Sequence, residues 1–242
     1  MLLGGRVQLR QEGAGLRATI DPVLLAAAVP AETGEAVLEA GAGIGTASLC
    51  LLARVTGARA VGVEQDPRQA AAAAANAALN GWADRFAAVT GRIEDKATSR
   101  DVAALGPFAQ AMANPPWFSG GTSPAGDARR AARQAGQEAP LAAWVAFLGR
   151  RVVQRGGVTL ILPAAQAGEG LAAFTAARLG SLTLLPLWPR QGEPARRVII
   201  AGRKGGRAPC RILPGLVLHE ADGRFTEAAE AVLRHGAPLP CL

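Results

Sequence analysis

Short apolar runs alternate with longer amphipathic stretches along most of the 242-residue chain. Ala36-Val-Leu-Glu39, Arg59-Ala-Val-Gly-Val-Glu64, Phe86-Ala-Ala-Val-Thr90 and Phe108-Ala-Gln-Ala-Met-Ala113 read as short buried strands, being compact apolar runs bounded by turn residues. Thr46 to Arg54 predicts an apolar-faced helix between the first two. After the second, Asp66 is a natural N-cap, Pro67 suits the first helical position and Gln69 completes a capping box. That helix runs through an alanine-rich stretch to Asn80-Gly81, a good C-terminal stop. Leu141 to Gln154 predicts a helix ending at Gly156-Gly157, Val158 to Leu162 a strand, and Leu171 to Arg178 a helix. Ser181–Leu185 and Arg197–Ala201 make a terminal strand pair, with a last strand at Gly215–His219 and a helix at Phe225–Leu233. The alternation predicts an α/β fold built on a doubly wound, mostly parallel sheet.

Length allows one core. A chain of this size buries roughly 70–75% of its unfolded surface, so a second large domain is not needed. Residues 1–35 are expected to flank the ligand site, 36–205 to form the main domain, and 206–242 to pack on that domain as an extension. Half the residues are hydrophobic, yet no apolar run reaches membrane-spanning length. Val23–Val29 follows Asp21-Pro22 without a basic region before it, which is not the pattern of a signal peptide. Three widely spaced cysteines, Cys50, Cys210 and Cys241, fit a reducing cytoplasm and argue against a metal or disulfide framework.

Charge adds a partner. The net +7 rests almost wholly on arginine, and Arg190 to Arg211 holds seven basic residues against Glu193 alone. Arg196, Arg197, Arg203 and Lys204 are the candidates there, with Arg129, Arg130 and Arg133 as a second cluster inside a Gly/Ala/Arg-rich loop, Gly120–Gln137. The planar guanidinium suits phosphate, so an RNA substrate is expected. Compositional bias explains arginine over lysine; it does not explain the clustering.

The chemistry is carried by Asn114-Pro115-Pro116-Trp117. An amino group conjugated to a ring or carbonyl is a poor nucleophile because its lone pair is delocalised. The Asn114 side-chain oxygen and the Pro115 carbonyl can each accept one N–H and localise that pair. Proline fixes φ and restricts the residue before it, so the segment is a stiff strut, and Trp117 offers a face on which a base can stack. Asn114 falls at the carboxyl end of a strand, where ligands bind in open α/β sheets. Upstream, Gly41, Gly43 and Gly45 form a G-x-G-x-G turn after a strand ending in Glu39. A dinucleotide fingerprint would need its third glycine at Thr46. Glu64 ends the next strand, where a carboxylate can accept both hydroxyls of a ribose. A tight turn and a helix cap would also account for the glycines and Glu64. With Asp66 already placed as the cap, Glu64 reads as spare for a ligand. The glycine spacing and the Asn-Pro-Pro-Trp strut favour S-adenosyl-L-methionine over NAD, with Glu39 holding the amino-acid ammonium.

Glu39–Gly45, the strand ending at Glu64, and Asn114–Trp117 together resemble the class I S-adenosylmethionine-dependent methyltransferases over about residues 20–205. That likeness implies a seven-stranded Rossmann-like sheet. More narrowly, Gly4-Gly5-Arg6, Asp21-Pro-Val-Leu-Leu25 and Gly192-Glu-Pro-Ala-Arg196 resemble the bacterial family that methylates adenine N6 beside the anticodon of a valine tRNA. By this likeness Asp21 sits near the cofactor, although it also suits a plain helix N-cap. Gln65, Arg92 and Ile93 line the cofactor by the same likeness. Arg92 stands where many relatives place an aspartate against the cofactor's adenine, so Glu94, Asp95 or backbone must replace that contact. Trp117 replaces the more usual Tyr or Phe. Two other readings stay open: guanine-N2 methylation in ribosomal RNA, and a methyltransferase-like protein that only binds RNA or a partner.

Overall fold

The computed structural model describes residues 1–10, 19–116 and 139–240. Helix α1 (Asp21–Ala28) leads into strand β1 (Ala36–Ala40), α2 (Thr46–Arg54), β2 (Arg59–Glu64), α3 (Pro67–Leu79), β3 (Phe86–Thr90), α4 (Lys96–Ala104) and β4 (Phe108–Ala113). The remainder comprises α5 (Leu141–Arg151), β5 (Val152–Pro163), α6 (Ala167–Ala176), β6 (Leu179–Trp188), β7 (Arg197–Lys204), β8 (Arg211–Ile212), β9 (Leu216–Val217) and α7 (Glu227–Leu233). The sheet order is β3-β2-β1-β4-β5-β7-β6, with β8 and β9 added to β6. Only β7 runs against the rest: it is antiparallel to both β5 and β6. The expected strands are all present, the last shortened to the two residues of β9, and the two-residue β8 is an addition.

Strand alternation divides the core into two layers. Val37, Ala60, Met112 and Ile161 face α1, α2 and α3, which contribute Leu24, Leu49 and Ala73. Leu38, Val61, Ala111 and Leu160 face the other way, against Val102 of α4, Val145 and Phe147 of α5, and Phe174 of α6. Burial on both faces explains why these strands read as continuous apolar runs instead of alternating ones. Leu3, Leu216 and Val232 join the first layer, so residues from all three expected segments share one core. The chain starts in the middle at β1, winds outward to β3, and returns across β1 to β4. Its direction of winding reverses between β1 and β4. A crevice opens at that point, outside the carboxyl ends of the strands.

Three departures from the sequence reading have physical reasons. Helix α5 stops at Arg151, not Gln154, because the β-branched pair Val152-Val153 begins β5 and Val152 pairs with Phe108. Arg155 then takes a positive φ of 67° where the β4–β5 register shifts, which restores the pairing from Gly157 onward. Helix α4 carries no clear apolar stripe, and only Thr98 and Val102 are buried in it. Helix α6 begins at Ala167, ahead of the expected Leu171. The expected loop at Gly120–Gln137 lies outside the described residues.

Asn80, read as a helix stop, also has a second task. It is the C-cap of α3, and its side chain both accepts from Gln8 N (2.9 Å) and donates to Gln8 O (2.7 Å). One turn earlier, Asn76 does the same with Arg10 N (2.8 Å) and Arg10 O (3.2 Å). Two amides spaced four apart on one helix face thus hold an extended N-terminal arm against α3.

Candidate active site

The glycine turn is held by strand β2. Gly41 N and Ala42 N both donate to Val63 O, at 2.8 and 2.9 Å. Gly43 N donates to Glu64 Oε2 at 2.8 Å, and Asp66 N donates to Glu64 Oε1 at 3.0 Å. Glu64 is therefore not spare, as the sequence reading had it. Its carboxylate already braces the turn, and each oxygen keeps a lone pair for one further donor. Asp66 caps α3 through Arg68 N, as expected. Asn76 reaches the turn as well, donating to Ile44 O at 3.1 Å, and so links the N-terminal arm to the glycine loop.

Positive φ is required at Gly41 (69°), Gly43 (55°) and Gly45 (87°). Gly41 has a second reason to lack a side chain. A Cβ there would stand 2.8 Å from Trp144 Cη2. The indole of Trp144, on α5, lies directly against the turn, and pattern reading missed it because a tryptophan on an apolar helix face reads as core.

Glu39 is buried to 3% exposure, on the face of β1 that meets α2. Its Oε2 accepts from both Ser48 N (2.9 Å) and Ser48 Oγ (2.5 Å). Burial pushes its carboxyl up to about 8, against the lowering effect of the Ser48 bonds; neighbouring Glu64 pushes the same way as burial. Cys50, within α2, is core; burial, with Glu39 near it, pushes its thiol up to about 12, so it is an inert thiol.

Asn114 sits across from this turn. Ala40 pairs with Ala113, so the next residues on each strand, Gly41 and Asn114, flank the crevice. Asn114 Oδ1 is buried and has no hydrogen-bond partner among the described residues. A buried acceptor left alone costs about 1–3 kcal/mol, which a donor from a ligand would recover. Pro115 is buried and Pro116 exposed; Trp117 lies outside the described residues.

Beyond β3, Arg92 donates to Gln65 Oε1 (3.4 Å) and pairs with Glu94 (3.3 Å), while Gly91 N bonds Glu64 O (2.9 Å). Gln65, Arg92 and Glu94 thus stand together beside the end of β2, with Ile93 buried beneath them. Asp21, at the start of α1, accepts from Arg197 Nε at 3.0 Å. Arg197, expected to face RNA, is held in this pair with a carboxylate only 6% exposed.

The basic stretch does not form one surface. Arg190 and Arg196 both approach Glu193, and with Arg197 they sit near the carboxyl end of β5, where Pro163 pairs with Arg197. Because β7 runs backwards, Arg203 and Lys204 reach the opposite end of the sheet, at the level of Gly157 and Leu179. Lys204 Nζ is bound there to Val152 O at 2.8 Å. Arg129, Arg130 and Arg133 lie outside the described residues. Among the described residues no group of three or more acidic, histidine or cysteine side chains could hold a metal ion, and no helix is long and apolar enough to cross a membrane.

A small positive-φ turn, two buried carboxylates on adjacent strands and an unpartnered amide oxygen facing the same crevice fit the S-adenosylmethionine expected from the sequence. No family model matches the chain. A protein of Aeromonas hydrophila named tRNA1(Val) (adenine(37)-N6)-methyltransferase is 29% identical over 211 residues, covering 86% of this chain and 84% of its own. Among solved structures, an Agrobacterium tumefaciens protein described as a predicted O-methyltransferase superposes with a TM-score of 0.75 at 24% identity, covering 91% of this chain and 98% of its own. A geranyl diphosphate methyltransferase solved in complex with S-adenosylmethionine gives a TM-score of 0.51 at 16% identity, over 75% of this chain and 82% of its own. The resemblance read from the glycine turn and the Asn-Pro-Pro strut is borne out: the chain has the fold of the S-adenosylmethionine-dependent methyltransferases and is homologous, over most of its length, to proteins named as tRNA adenine-N6 methyltransferases.

Proposed function

We propose that this protein is an S-adenosylmethionine-dependent methyltransferase acting on the N6 amine of an adenine beside the anticodon of a tRNA. The observation that carries the reading is the buried Oδ1 of Asn114, which has no partner among the described residues and lies one residue beyond the strand pair that presents the glycine turn. The family name shared by its relatives supplies the substrate class.

When bound, the cofactor supplies an electrophilic methyl group on a sulfonium. The turn at Gly41–Gly45, with Glu64 bracing it, would hold the cofactor's ribose. Glu39 would meet its ammonium; a cation arriving there favours the ionised carboxylate and offsets the burial that now keeps it protonated. Asn114 Oδ1 and the Pro115 carbonyl would each accept one N–H of the amine and localise its nitrogen lone pair. Trp117 would stack on the base once it has left its loop. No strong general base is needed, and most of the acceleration comes from positioning.

The test is to incubate the protein with methyl-labelled S-adenosylmethionine and total tRNA, and to identify the labelled nucleoside by mass spectrometry. N6-methyladenosine mapped to the anticodon loop is expected. Label in N2-methylguanosine would return the ribosomal or another guanine target. Absence of cofactor binding by calorimetry would make the fold a binding scaffold.

A further inference from the structure

Between Ala139 and His219 the chain carries eleven Lys or Arg residues and two acids, Glu169 and Glu193. The fold sorts them. Glu169 opens α6, which follows the carboxyl end of β5, and Glu193 lies in the β6–β7 turn at that same end. At the opposite end of β5, β6 and β7 stand Arg150, Arg155, Arg178, Arg203 and Arg207. Arg203 is opposite both Gly157 and Gly180 in the sheet. Gly206 packs on the backbone of Gly180, and Ala208 N bonds Ser181 Oγ at 3.0 Å, which brings Arg207 beside the turn holding Arg178. Arg155 projects from the irregular start of β5. Arg203 is half-buried and the other four are exposed; none of the five makes an ion pair or a side-chain hydrogen bond among the described residues.

Structural duties account for their neighbours and, in part, for two of these five. Arg151 stacks on Phe147 and donates to Ser99 O, and Lys204 holds Val152 O. Arg150 and Arg178 lie at the carboxyl ends of α5 and α6, where cations are favoured by the helix dipole. That leaves Arg155, Arg203 and Arg207 without such a reason. Mutual repulsion among five unpaired cations is unfavourable unless an anion answers it.

We infer that this end of the sheet is a second RNA-binding surface, which takes the phosphate backbone of the tRNA away from the base that is methylated. The inference rests on the RNA substrate proposed above. Arg203 lies at the level of Gly157, four residues along β5 from Ile161, the level of Asn114. At about 3.3 Å per residue this is roughly 13 Å along the strands, before the lateral distance is added. That exceeds the Debye length of about 8–10 Å at physiological salt, so these arginines do not act on the crevice through their field. They act only by touching phosphates that the target nucleotide does not carry. A folded tRNA has many such phosphates; an isolated anticodon hairpin has fewer.

The experiment compares labelled full-length tRNA with a hairpin of its anticodon arm, by anisotropy across a range of salt. Wild-type protein should bind the full tRNA more tightly and with the steeper salt dependence. The triple variant Arg155→Gln/Arg178→Gln/Arg207→Gln should lose about tenfold or more on full-length tRNA and reduce the salt slope by about two to three. Its loss on the hairpin should be clearly smaller, and hairpin methylation at saturating RNA should not change. The matching Lys triple should keep the salt slope and most of the affinity, because the slope counts the charges that neutralise phosphates. Wild-type affinity and slope for full-length tRNA in the Gln triple would overturn the proposal, as would an equal loss on the hairpin. A loss on phosphatidylserine vesicles without one on tRNA would assign the surface to a membrane instead. The binding readout is independent of the reaction: label in a different nucleoside, with the tRNA-over-hairpin preference intact, removes the adenine reading and keeps the surface.

Discussion

The two ends of the sheet carry charge in opposite ways. At the carboxyl ends of the strands, the polar groups around the crevice are largely buried and matched one by one: Glu39 by Ser48, Glu64 by Gly43 and Asp66, and Asp21 by Arg197, while Asn114 Oδ1 has no partner among the described residues. At the other end of the sheet, beside the start of β5 and the end of β7, arginines are mostly exposed and have no carboxylate partner among the described residues. Buried polar groups are costly to leave unmatched, so the first end can be specific with a handful of atoms. Exposed charges each contribute little and are screened by salt, so the second end works by number. The proposed site for chemistry and the proposed surface for affinity therefore look different even in one small fold. Substitutions should separate them.

The largest effect on stability belongs at the glycine turn. Gly41→Ala places a Cβ at φ 69° and against Trp144. Strain of about 1–3 kcal/mol is expected, with a melting temperature lowered by several degrees and cofactor affinity reduced at least tenfold. Adding Trp144→Leu should recover part of the loss, read by thermal melting and calorimetry. No recovery would mean that the indole does not press on the turn.

A smaller, pH-dependent effect is expected from Glu39. Its folded-state carboxyl is raised to about 8 by burial, above the ordinary 4.5. The folded state then holds a proton that the unfolded chain releases, so this contribution is complete below about pH 4.5 and is lost as pH rises through 8. Ligand-free wild-type protein should lose stability across that window, and Glu39→Gln should flatten the profile. Identical pH profiles for the two proteins would remove the buried-acid assignment.

Smallest of all is a single change at the far end. Arg155→Gln should reduce the tRNA salt slope by about one and leave the melting temperature and cofactor affinity unchanged. A change in cofactor affinity would tie this arginine to the crevice.

Much of the carboxyl end was legible in the sequence because its residues are fixed by backbone needs. Glycines at positive φ, a proline strut and a helix cap announce themselves locally, and β2, β3, β4 and α2 fall on the expected residues. What was not legible depends on chain direction and on partners distant in sequence. Arg196 and Lys204 are eight positions apart and read as one cluster, yet the reversed run of β7 sends them to opposite ends. Glu64 read as spare because its donors, Gly43 and Asp66, are backbone N–H groups with no letter of their own. Trp144 sits on an α5 face that pattern alone assigns to core. The clamps from Asn76 and Asn80 to residues 8 and 10 span about seventy positions and leave no local trace. Helix α4 lacks an apolar stripe for the same reason that it went unread: it is exposed along most of its length.

The central claim is that Asn114 does chemistry on an amine opposite a methyl donor held by the glycine turn. The most direct measurement pairs calorimetry with single-turnover methylation in Asn114→Ala. Cofactor affinity within about twofold of wild type, with the transfer rate down by a hundredfold or more, is the predicted result, of the size seen when one positioned hydrogen-bonding group is removed from an active site. A transfer rate equal to wild type at saturating cofactor and tRNA would contradict it.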